Sequence, residues 1–154
     1  MANSEKTLVL VKPDGVAEGH IGNIISRLER KGFQISALKV VKATKEQLEA
    51  HYNEQVEKPY FNEIATYMME GPLVAIIVSG TNVVKAVHRL AGNTRPADAL
   101  PGTIRGDFAH DYADGILRNI VHTSDSRENA HHEIAIWFPE LAVSSRKPLK
   151  PQKN

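Results

Sequence analysis

The sequence predicts a single α+β domain in which helices cover a four-stranded antiparallel sheet. The length of 154 residues matches one domain, and about 70% of the unfolded surface of such a chain can be buried on folding. Four short apolar runs alternate with segments whose apolar residues recur at helical spacing. The resulting order is strand, helix, strand, helices, strand, helix, strand, helix. That order is typical of a sandwich with a split βαβ, ferredoxin-like sheet, βαββαβ.

The first part of the chain predicts two strands with a helix between them. Residues 6–12 (KTLVLVK) are an apolar run that ends at Pro13-Asp14-Gly15, which is typical of a strand followed by a turn. Apolar residues then recur at helical spacing until Lys31-Gly32, which predicts a helix closed by glycine. Residues 33–41 alternate in polarity and predict a strand whose inner face holds Phe33, Ile35 and Ala37.

The middle of the chain predicts a central strand between helices. Two helices are expected at residues 45–52 and 60–69, with Pro59 between them. Residues 72–79 (PLVAIIVS) are almost continuously apolar, which indicates a strand buried on both faces. Another helix is predicted over residues 82–91.

The last third combines a long irregular segment with a final strand and helix. Residues 92–115 contain prolines and glycines without a periodic pattern. Such a segment is typical of a long inserted loop that is either functional or disordered. A short strand is predicted at 119–122. The helix that follows is expected from about Ser126 to Trp137, with Asp125 and Glu128 in capping-box spacing.

Composition limits the possible functions and location. Lys and Arg total 19 and Asp and Glu total 18, so the formal charge of +1 gives no general attraction to nucleic acid or membrane. The chain has no cysteine, which excludes a disulfide framework and a thiolate zinc site. It has no apolar run of about 18 residues and no apolar signal-peptide stretch, so a cytoplasmic location is expected. The domain is expected over residues 1–140, with a loosely ordered tail over 141–154.

One segment, Asn119-Ile120-Val121-His122-Thr123-Ser124-Asp125, carries the most chemical information. His122 ends an apolar run and is followed at once by side chains suited to starting a helix. A neutral imidazole has a free lone pair near pH 7 and can carry a phosphoryl group covalently. The common glycine-rich phosphate loops are absent from the chain, so phosphates would be neutralised by side chains and a divalent cation.

This segment resembles the active-site signature of nucleoside diphosphate kinases, and other landmarks of that family recur in order between residues 5 and 138. A lone histidine at a strand end is more often structural, but several motifs in the right order outweigh that interpretation. The landmarks are Val11-Lys12-Pro13-Asp14-Gly15-Val16, Lys31-Gly32-Phe33, His51-Tyr52, Lys58-Pro59-Tyr60-Phe61, Ser79-Gly80-Thr81-Asn82-Val83-Val84, Pro96-Ala97-Asp98 and Pro101-Gly102-Thr103-Ile104-Arg105-Gly106-Asp107-Phe108.

The resemblance implies Mg²⁺-dependent, ping-pong transfer of a γ-phosphoryl group from a nucleoside triphosphate to a diphosphate. The carrier would be His122, phosphorylated on its pros nitrogen. Glu133 is expected to orient the imidazole, with Ser124 supporting the same histidine and capping the following helix. Mg²⁺ is expected to be held mainly by the nucleotide phosphates, with no direct protein ligand.

The resemblance also implies the residues that bind the nucleotide. Lys12 and Asn119 are expected at the sugar hydroxyls, while Tyr52, Thr94 and Arg105 approach the phosphates. Lys12, Tyr52 and Asn119 would thereby also serve catalysis. Aromatic stacking is insensitive to base identity, which suits an enzyme that accepts many nucleotides.

The base is expected between Tyr60, where the family usually has Phe, and a wall formed by Ile116 and Leu117. The interval from Phe108 to Asn119 is several residues longer than in the family. The path of the chain over residues 109–117 is therefore open at this point.

The chain differs from the family at two further positions, both close to where the phosphates are expected. The family usually has an arginine at the position of His88, whereas Arg89 comes one residue later and about 100° around the helix. Either residue could meet the phosphates. Thr123 replaces a residue that is normally smaller and adds a β-branched side chain beside the nucleophile. These departures support a rival hypothesis, a regulatory protein of the same fold that has lost catalysis.

Assembly and partners are expected from the same resemblance. The long loop at residues 92–115 packs near a three-fold axis in the family, which implies a homohexamer, with a homotetramer as the alternative. No membrane or nucleic-acid partner is expected. An RNA-recognition sheet would need exposed aromatic residues and a basic face, and the sequence indicates neither.

Overall fold

The computed structural model describes residues 4–141. Its four strands are β1 (Ser4–Val11), β2 (Gln34–Val41), β3 (Leu73–Thr81) and β4 (Val121–Thr123). Its α-helices are α1 (Pro13–Ala17), α2 (Ile21–Arg30), α3 (Lys45–His51), α4 (Phe61–Met68), α5 (Val83–Ala91), α6 (Ile104–Phe108) and α7 (Arg127–Trp137). One 3₁₀ turn covers Pro96–Asp98.

The four strands form one sheet in the order β2-β3-β1-β4, and every neighbouring pair is antiparallel. This confirms the predicted α+β, ferredoxin-like fold. The apolar run at the start of β3 is buried and lies between β1 and β2, as expected for a central strand. The short strand β4 pairs with β1 at the edge, which sets His122 opposite Leu10.

Two apolar clusters cover the opposite faces of the sheet. Leu8 and Leu10 belong to one cluster with Leu48, Met68 and Trp137, which come from α3, α4 and α7. The alternate residues of β1, Val9 and Val11, belong to the other cluster, with residues of α2 and α5. The strand is apolar at successive positions because both of its faces are covered.

The second strand differs from the prediction at a β-bulge. Ile35 pairs with Val78 and Ala37 pairs with Ile77, so Ser36 is an additional residue on β2. Ile35 packs on one core cluster and Ala37 on the other. The prediction that these two side chains share an inner face is wrong, because one inserted residue reverses the faces of all residues after it.

The segment 92–115 is more regular than predicted. It contains the 3₁₀ turn at Pro96–Asp98 and the one-turn helix α6. Thr103 caps α6, because its hydroxyl accepts a hydrogen bond from the Gly106 amide at 2.9 Å. A helix of five residues is too short to give a detectable period in the sequence.

The start of α7 also differs from the prediction. Its N-cap is Ser126, whose hydroxyl accepts from the amide of Asn129 at 3.0 Å. Asp125 accepts instead from the side-chain amide of Asn129 at 2.6 Å. The expected Asp125–Glu128 capping box and the expected cap by Ser124 are therefore wrong.

Among residues 4–141, no helix is both long enough and apolar enough to cross a membrane. The cytoplasmic location stays a prediction. The tail expected at 141–154 lies outside the described residues except for Leu141, so that division of the chain also stays a prediction.

Candidate active site

His122 lies on β4 and is held by one carboxylate from α7. Its Nε2 is 2.8 Å from Oε1 of Glu133, and the Ser124 hydroxyl donates to the same oxygen at 2.7 Å. Because a carboxylate accepts hydrogen bonds, the imidazole proton is assigned to Nε2 and the lone pair to Nδ1. The His122 side chain is 18% exposed, so a reactant can reach the ring.

The surroundings of His122 keep the ring neutral. Burial, followed by the charges of Lys12 and Arg105, lowers the pKa of His122 to about 3. Burial also raises the pKa of Glu133. The histidine is therefore an available base and nucleophile throughout the physiological pH range.

His51 at the end of α3 lies edge-on against His122, with ring centroids 4.3 Å apart. Its Nδ1 accepts a hydrogen bond from the indole nitrogen of Trp137 at 3.0 Å. His51, His122 and Glu133 could together offer three metal ligands. The hydrogen bond from Trp137 places the proton of neutral His51 on Nε2, however, so neither nitrogen of His51 has a free lone pair for a metal. We therefore interpret this cluster as support for His122.

Lys12, at the end of β1, brings an ammonium group beside the signature segment. Its Nζ donates to the side-chain oxygen of Asn119 at 2.9 Å. Burial and the charge of Arg105 lower the pKa of Lys12 to about 7, although Asp14 acts in the opposite direction. An anionic ligand would favour the charged form, so this group is suited to a phosphate or to hydroxyls next to one.

Arg105, on α6, is a second buried cation. Its guanidinium donates to the carbonyl oxygens of Gly92 (2.7 Å), Val121 (2.7 Å) and Asn119 (3.2 Å). Burial lowers the pKa of Arg105 to about 10, so it stays charged at pH 7. Its three described hydrogen bonds all go to neutral carbonyl groups. The positive charge is thus not cancelled by a carboxylate and acts on His122.

A cleft of about 340 Å³ lies next to these groups. It brings together Lys12, Tyr52, Tyr60, Thr94, Ile116 and Asn119, all predicted from the sequence, with Leu117 beside Ile116. Asn119 donates its side-chain N–H to the Thr94 carbonyl at 2.9 Å, which fixes one wall. Tyr60 is 49% exposed, as a flat surface for a base requires.

The two basic residues of α5 have different positions. His88 Nδ1 lies 3.1 Å from the Thr123 hydroxyl, one residue from His122. Both residues are exposed, but Arg89 makes no hydrogen bond or ion pair with any residue in the described part of the chain. His88 is therefore the basic residue that α5 holds against the signature segment.

The sequence did not single out the pair Asp14 and Tyr67, which holds the backbone before His122. Tyr67 donates to Oδ1 of Asp14 at 2.6 Å, and the Ile120 amide donates to Oδ2 at 3.1 Å. Ile120 has φ = 72°, a conformation that costs a β-branched residue about 1–3 kcal/mol. The Ile120 carbonyl is held as well, by the Lys12 amide at 2.7 Å. The Pro13-Asp14-Gly15 turn was the one available signal for this arrangement.

The fold, with a neutral histidine beside two buried cations, has the features of a phosphoryl-transfer enzyme. Comparison with known proteins agrees. A family model for nucleoside diphosphate kinase matches residues 5–143. A nucleoside diphosphate kinase of Corynebacterium glutamicum (strain R) is 50% identical over 139 residues, which cover 90% of this chain and 99% of the relative. The chain belongs to the nucleoside diphosphate kinase family.

Two further comparisons extend this result. A relative from Drosophila melanogaster with the same name is 50% identical over 147 residues, 96% of this chain and 94% of that one. A crystal structure of the Aquifex aeolicus nucleoside diphosphate kinase has a TM-score of 0.81 and 37% identity, covering 90% of this chain and 98% of that chain. The expectation of an enzyme of this family is confirmed.

Proposed function

We propose that the protein transfers the γ-phosphoryl group of a nucleoside triphosphate to a nucleoside diphosphate through a phosphorylated His122. The observation that carries this proposal is the geometry of the imidazole. Its Nε2 is bonded to Glu133 at 2.8 Å, so the lone pair of the pros nitrogen, Nδ1, is the nucleophile.

In the first half-reaction, Nδ1 forms a bond to the γ-phosphorus while the bond from that phosphorus to the β–γ bridging oxygen breaks. The diphosphate leaves with the bond electrons. The imidazole becomes positive, and the Glu133 carboxylate stabilises that charge through Nε2. In the second half-reaction, a terminal phosphate oxygen of the acceptor diphosphate attacks the phosphorus and returns the electron pair to Nδ1. One site thereby serves donor and acceptor in turn.

The binding roles proposed for the cleft follow the chemistry of its lining. Lys12 and Asn119 would bind the sugar hydroxyls, and Tyr52 and Thr94 would approach the phosphates. Arg105 would contribute its charge and its remaining N–H groups, since three donors are already used by carbonyl oxygens.

The base would lie between Tyr60 and Ile116, which are on the same cleft. His88 is proposed as the further basic contact to the phosphates, because its ring lies against Thr123 beside His122, whereas Arg89 has no hydrogen-bond or ion-pair partner among the described residues.

The proposed Mg²⁺ would enter with the nucleotide. Glu63 is the one carboxylate among the described residues that line the cleft, and the remaining lining groups are ammonium, hydroxyl, amide or apolar. Mg²⁺ prefers several oxygen ligands and keeps waters, so phosphate oxygens would hold it and the ion would neutralise the transferring group.

We also propose a homohexamer, with a homotetramer as the alternative. Leu38 and Val40 on the edge strand β2 are 45% and 65% exposed, and Leu100 in the 92–115 loop is 72% exposed. Apolar side chains at a sheet edge and a loop tip are the kind of surface that subunit contacts cover.

Labelled phosphate tests the central step. Incubation with γ-labelled ATP and Mg²⁺ should label the protein with an acid-labile, base-stable bond, and added GDP should remove the label as GTP. His131→Ala is the matched control, because His131 is an exposed histidine on α7. Label that persists in His122→Ala, or that GDP cannot remove, would contradict the proposed covalent mechanism.

A further inference from the structure

The segment 109–118, called here the base-side loop, supplies Ile116 and Leu117 to the nucleotide cleft. Within the described chain, residues 110–118 belong to neither apolar core cluster. A second cleft, of about 590 Å³, lies on another side of this loop and is lined in part by Glu18, Glu70 and Tyr112. With little core packing to hold it, the loop depends on polar contacts for its position.

Arg118 makes most of the contacts that hold the loop. Its Nε and Nη2 donate to the two carboxylate oxygens of Glu70, at 3.3 and 3.0 Å. Its Nη1 donates to both oxygens of Asp114, at 3.1 and 3.0 Å. The guanidinium carbon lies 4.8 Å from the Tyr112 ring centroid and 5.9 Å from that of Tyr67. The Arg118 side chain is only 11% exposed, so these contacts form one defined geometry.

The contacts join the loop to the body of the domain. Glu70 and Tyr67 belong to the end of α4 and the residues after it, whereas Tyr112 and Asp114 belong to the loop. Asp114 Oδ1 also accepts a hydrogen bond from the Ile116 amide at 3.0 Å. If the Arg118 guanidinium moved, Asp114 would move with it. The Ile116 amide, which is hydrogen-bonded to Asp114, would then be displaced as well.

A second attachment fixes the other end of the loop. The Tyr112 hydroxyl donates to Glu18 Oε2 at 2.6 Å, and His110 Nε2 lies 3.2 Å from the same oxygen. These bonds restrain the loop near the end of α1 but do not involve a residue that lines the nucleotide cleft. Of the two attachments, only that of Arg118 leads directly to Ile116.

We infer that Arg118 is a positioning residue that fixes the base end of the nucleotide cleft, by holding Asp114 and thereby Ile116 and Leu117. This inference rests on the proposed function, since it concerns how the same cleft takes the base of its nucleotide. Arg118 acts on affinity for the base and leaves phosphoryl transfer at His122 unchanged.

The test compares a complete nucleotide with one that lacks a base. In Arg118→Gln, the KM for ADP should rise about tenfold while kcat stays within about twofold. The KM for ribose 5-diphosphate, which has no base to contact Ile116, should change by less than about twofold. Arg118→Lys should resemble Arg118→Gln, because a lysine ammonium cannot make the paired hydrogen bonds that the planar guanidinium makes to Glu70 and Asp114. Asp114→Ala, which removes the loop partner alone, should raise the KM for ADP in the same direction.

Lys39→Gln is the matched control, because it breaks an ion pair of similar length between Lys39 and Glu140, away from the cleft. An unchanged KM for ADP in the Arg118 and Asp114 variants would overturn the inference. A parallel rise for ADP and ribose 5-diphosphate would do so as well, since it would indicate general damage. The melting temperature of each variant identifies a folding defect. If the Arg118 variants are destabilised, the KM of Asp114→Ala for ADP decides whether the inference holds. Loss of the proposed function is distinguishable, because the unmodified protein would then fail to take label from ATP.

Discussion

At His122, burial and a single carboxylate have separate effects. Burial lowers the pKa to about 3 and so keeps the ring neutral. Glu133 holds the proton on Nε2 and so leaves the lone pair on Nδ1, the nitrogen proposed to react. Ser124 donates to the same carboxylate oxygen and accepts from the Leu8 amide at 3.3 Å, which ties the carboxylate to the central strand β1.

Removal of the nucleophile is the first prediction. His122→Ala should lose at least about three orders of magnitude in turnover, because the substitution removes the proposed carrier of the phosphoryl group. Nucleotide binding should persist, since the cleft lining stays intact, and calorimetry with ADP measures it. Initial-rate plots for the unmodified protein at several donor concentrations should be parallel. Intersecting plots together with an active alanine variant would contradict the covalent route.

The charge of Lys12 gives a prediction about pH. Its pKa is lowered to about 7 in the free protein, so the charged form that favours an anionic ligand is lost as pH rises above that value. The dissociation constant for ADP should therefore increase between pH 7 and 9. A His88→Ala background removes the contribution of that imidazole. In this background, Lys12→Gln should bind ADP weakly at every pH, with a flat profile. A slope that survives in Lys12→Gln would assign the effect to another group.

His88 and Arg89 give a prediction that separates two neighbours. Because His88 is held at Thr123, His88→Ala should raise the KM for nucleotide severalfold, since it removes an imidazole contact next to the phosphates. Arg89→Ala should change the KM little, because no contact with a described residue holds its side chain near His122. A larger effect of Arg89→Ala would mean that this arginine turns back to the phosphates. Equal, negligible effects would exclude both residues from that role.

At the scale of elements, the sequence predicted the strands and helices that a pattern of neighbouring residues defines. Strands β1 and β3 were predicted because burial on both faces leaves a continuous apolar run. The bulge at Ser36 was not predicted, because the residues that define it are paired with β3, some forty positions later in the chain. Helix α6 was missed for a different reason, since one turn has no measurable period.

The same distinction applies to the site. The resemblance singled out His122, Glu133 and the cleft residues, because it aligns the chain through short motifs that are each recognisable along the sequence. It did not locate the hydrogen bond from Tyr67 to Asp14, whose partners are 53 residues apart. It also left the path of residues 109–117 open. The contacts that decide this path join the loop to Glu18 and Glu70, which no local pattern connects to it.

The close packing of the 92–115 segment gives a prediction at this scale. A Cβ on Gly106 would lie 1.9 Å from the Leu100 carbonyl oxygen, so Gly106→Ala must displace α6 and with it Arg105. The KM for ADP should rise and kcat should fall by at least about tenfold, as expected when a buried cation leaves its place. Gly22→Ala on α2 is the control, because a Cβ there meets no atom within 4 Å. Full activity of Gly106→Ala would show that catalysis does not depend on the position of α6.

At the scale of the whole molecule, the charge is near neutral, so local groups rather than the overall charge determine which ligands the protein attracts. With 19 basic and 18 acidic residues, attraction for a polyanion comes from buried cations such as Lys12 and Arg105 rather than from the general surface. The remaining unusual surface is apolar. It includes the edge of β2 and the tip of the 92–115 loop, and these two places bear on assembly.

Assembly is the last prediction. The 92–115 loop holds Thr94 and Arg105, yet Leu100 at its tip is 72% exposed in the single chain, so contacts with neighbouring subunits would stabilise the loop. Light scattering at micromolar concentration should give six times 17.0 kDa, against four times for the tetramer. Leu100→Lys should lower this mass and, with it, the activity, because a charge cannot be buried at a subunit contact without a partner. Lys85→Gln on the exposed side of α5 is the surface control and should change neither quantity. A monomer with full activity would refute the dependence of the loop on assembly, since Arg105 would then keep its position without neighbours.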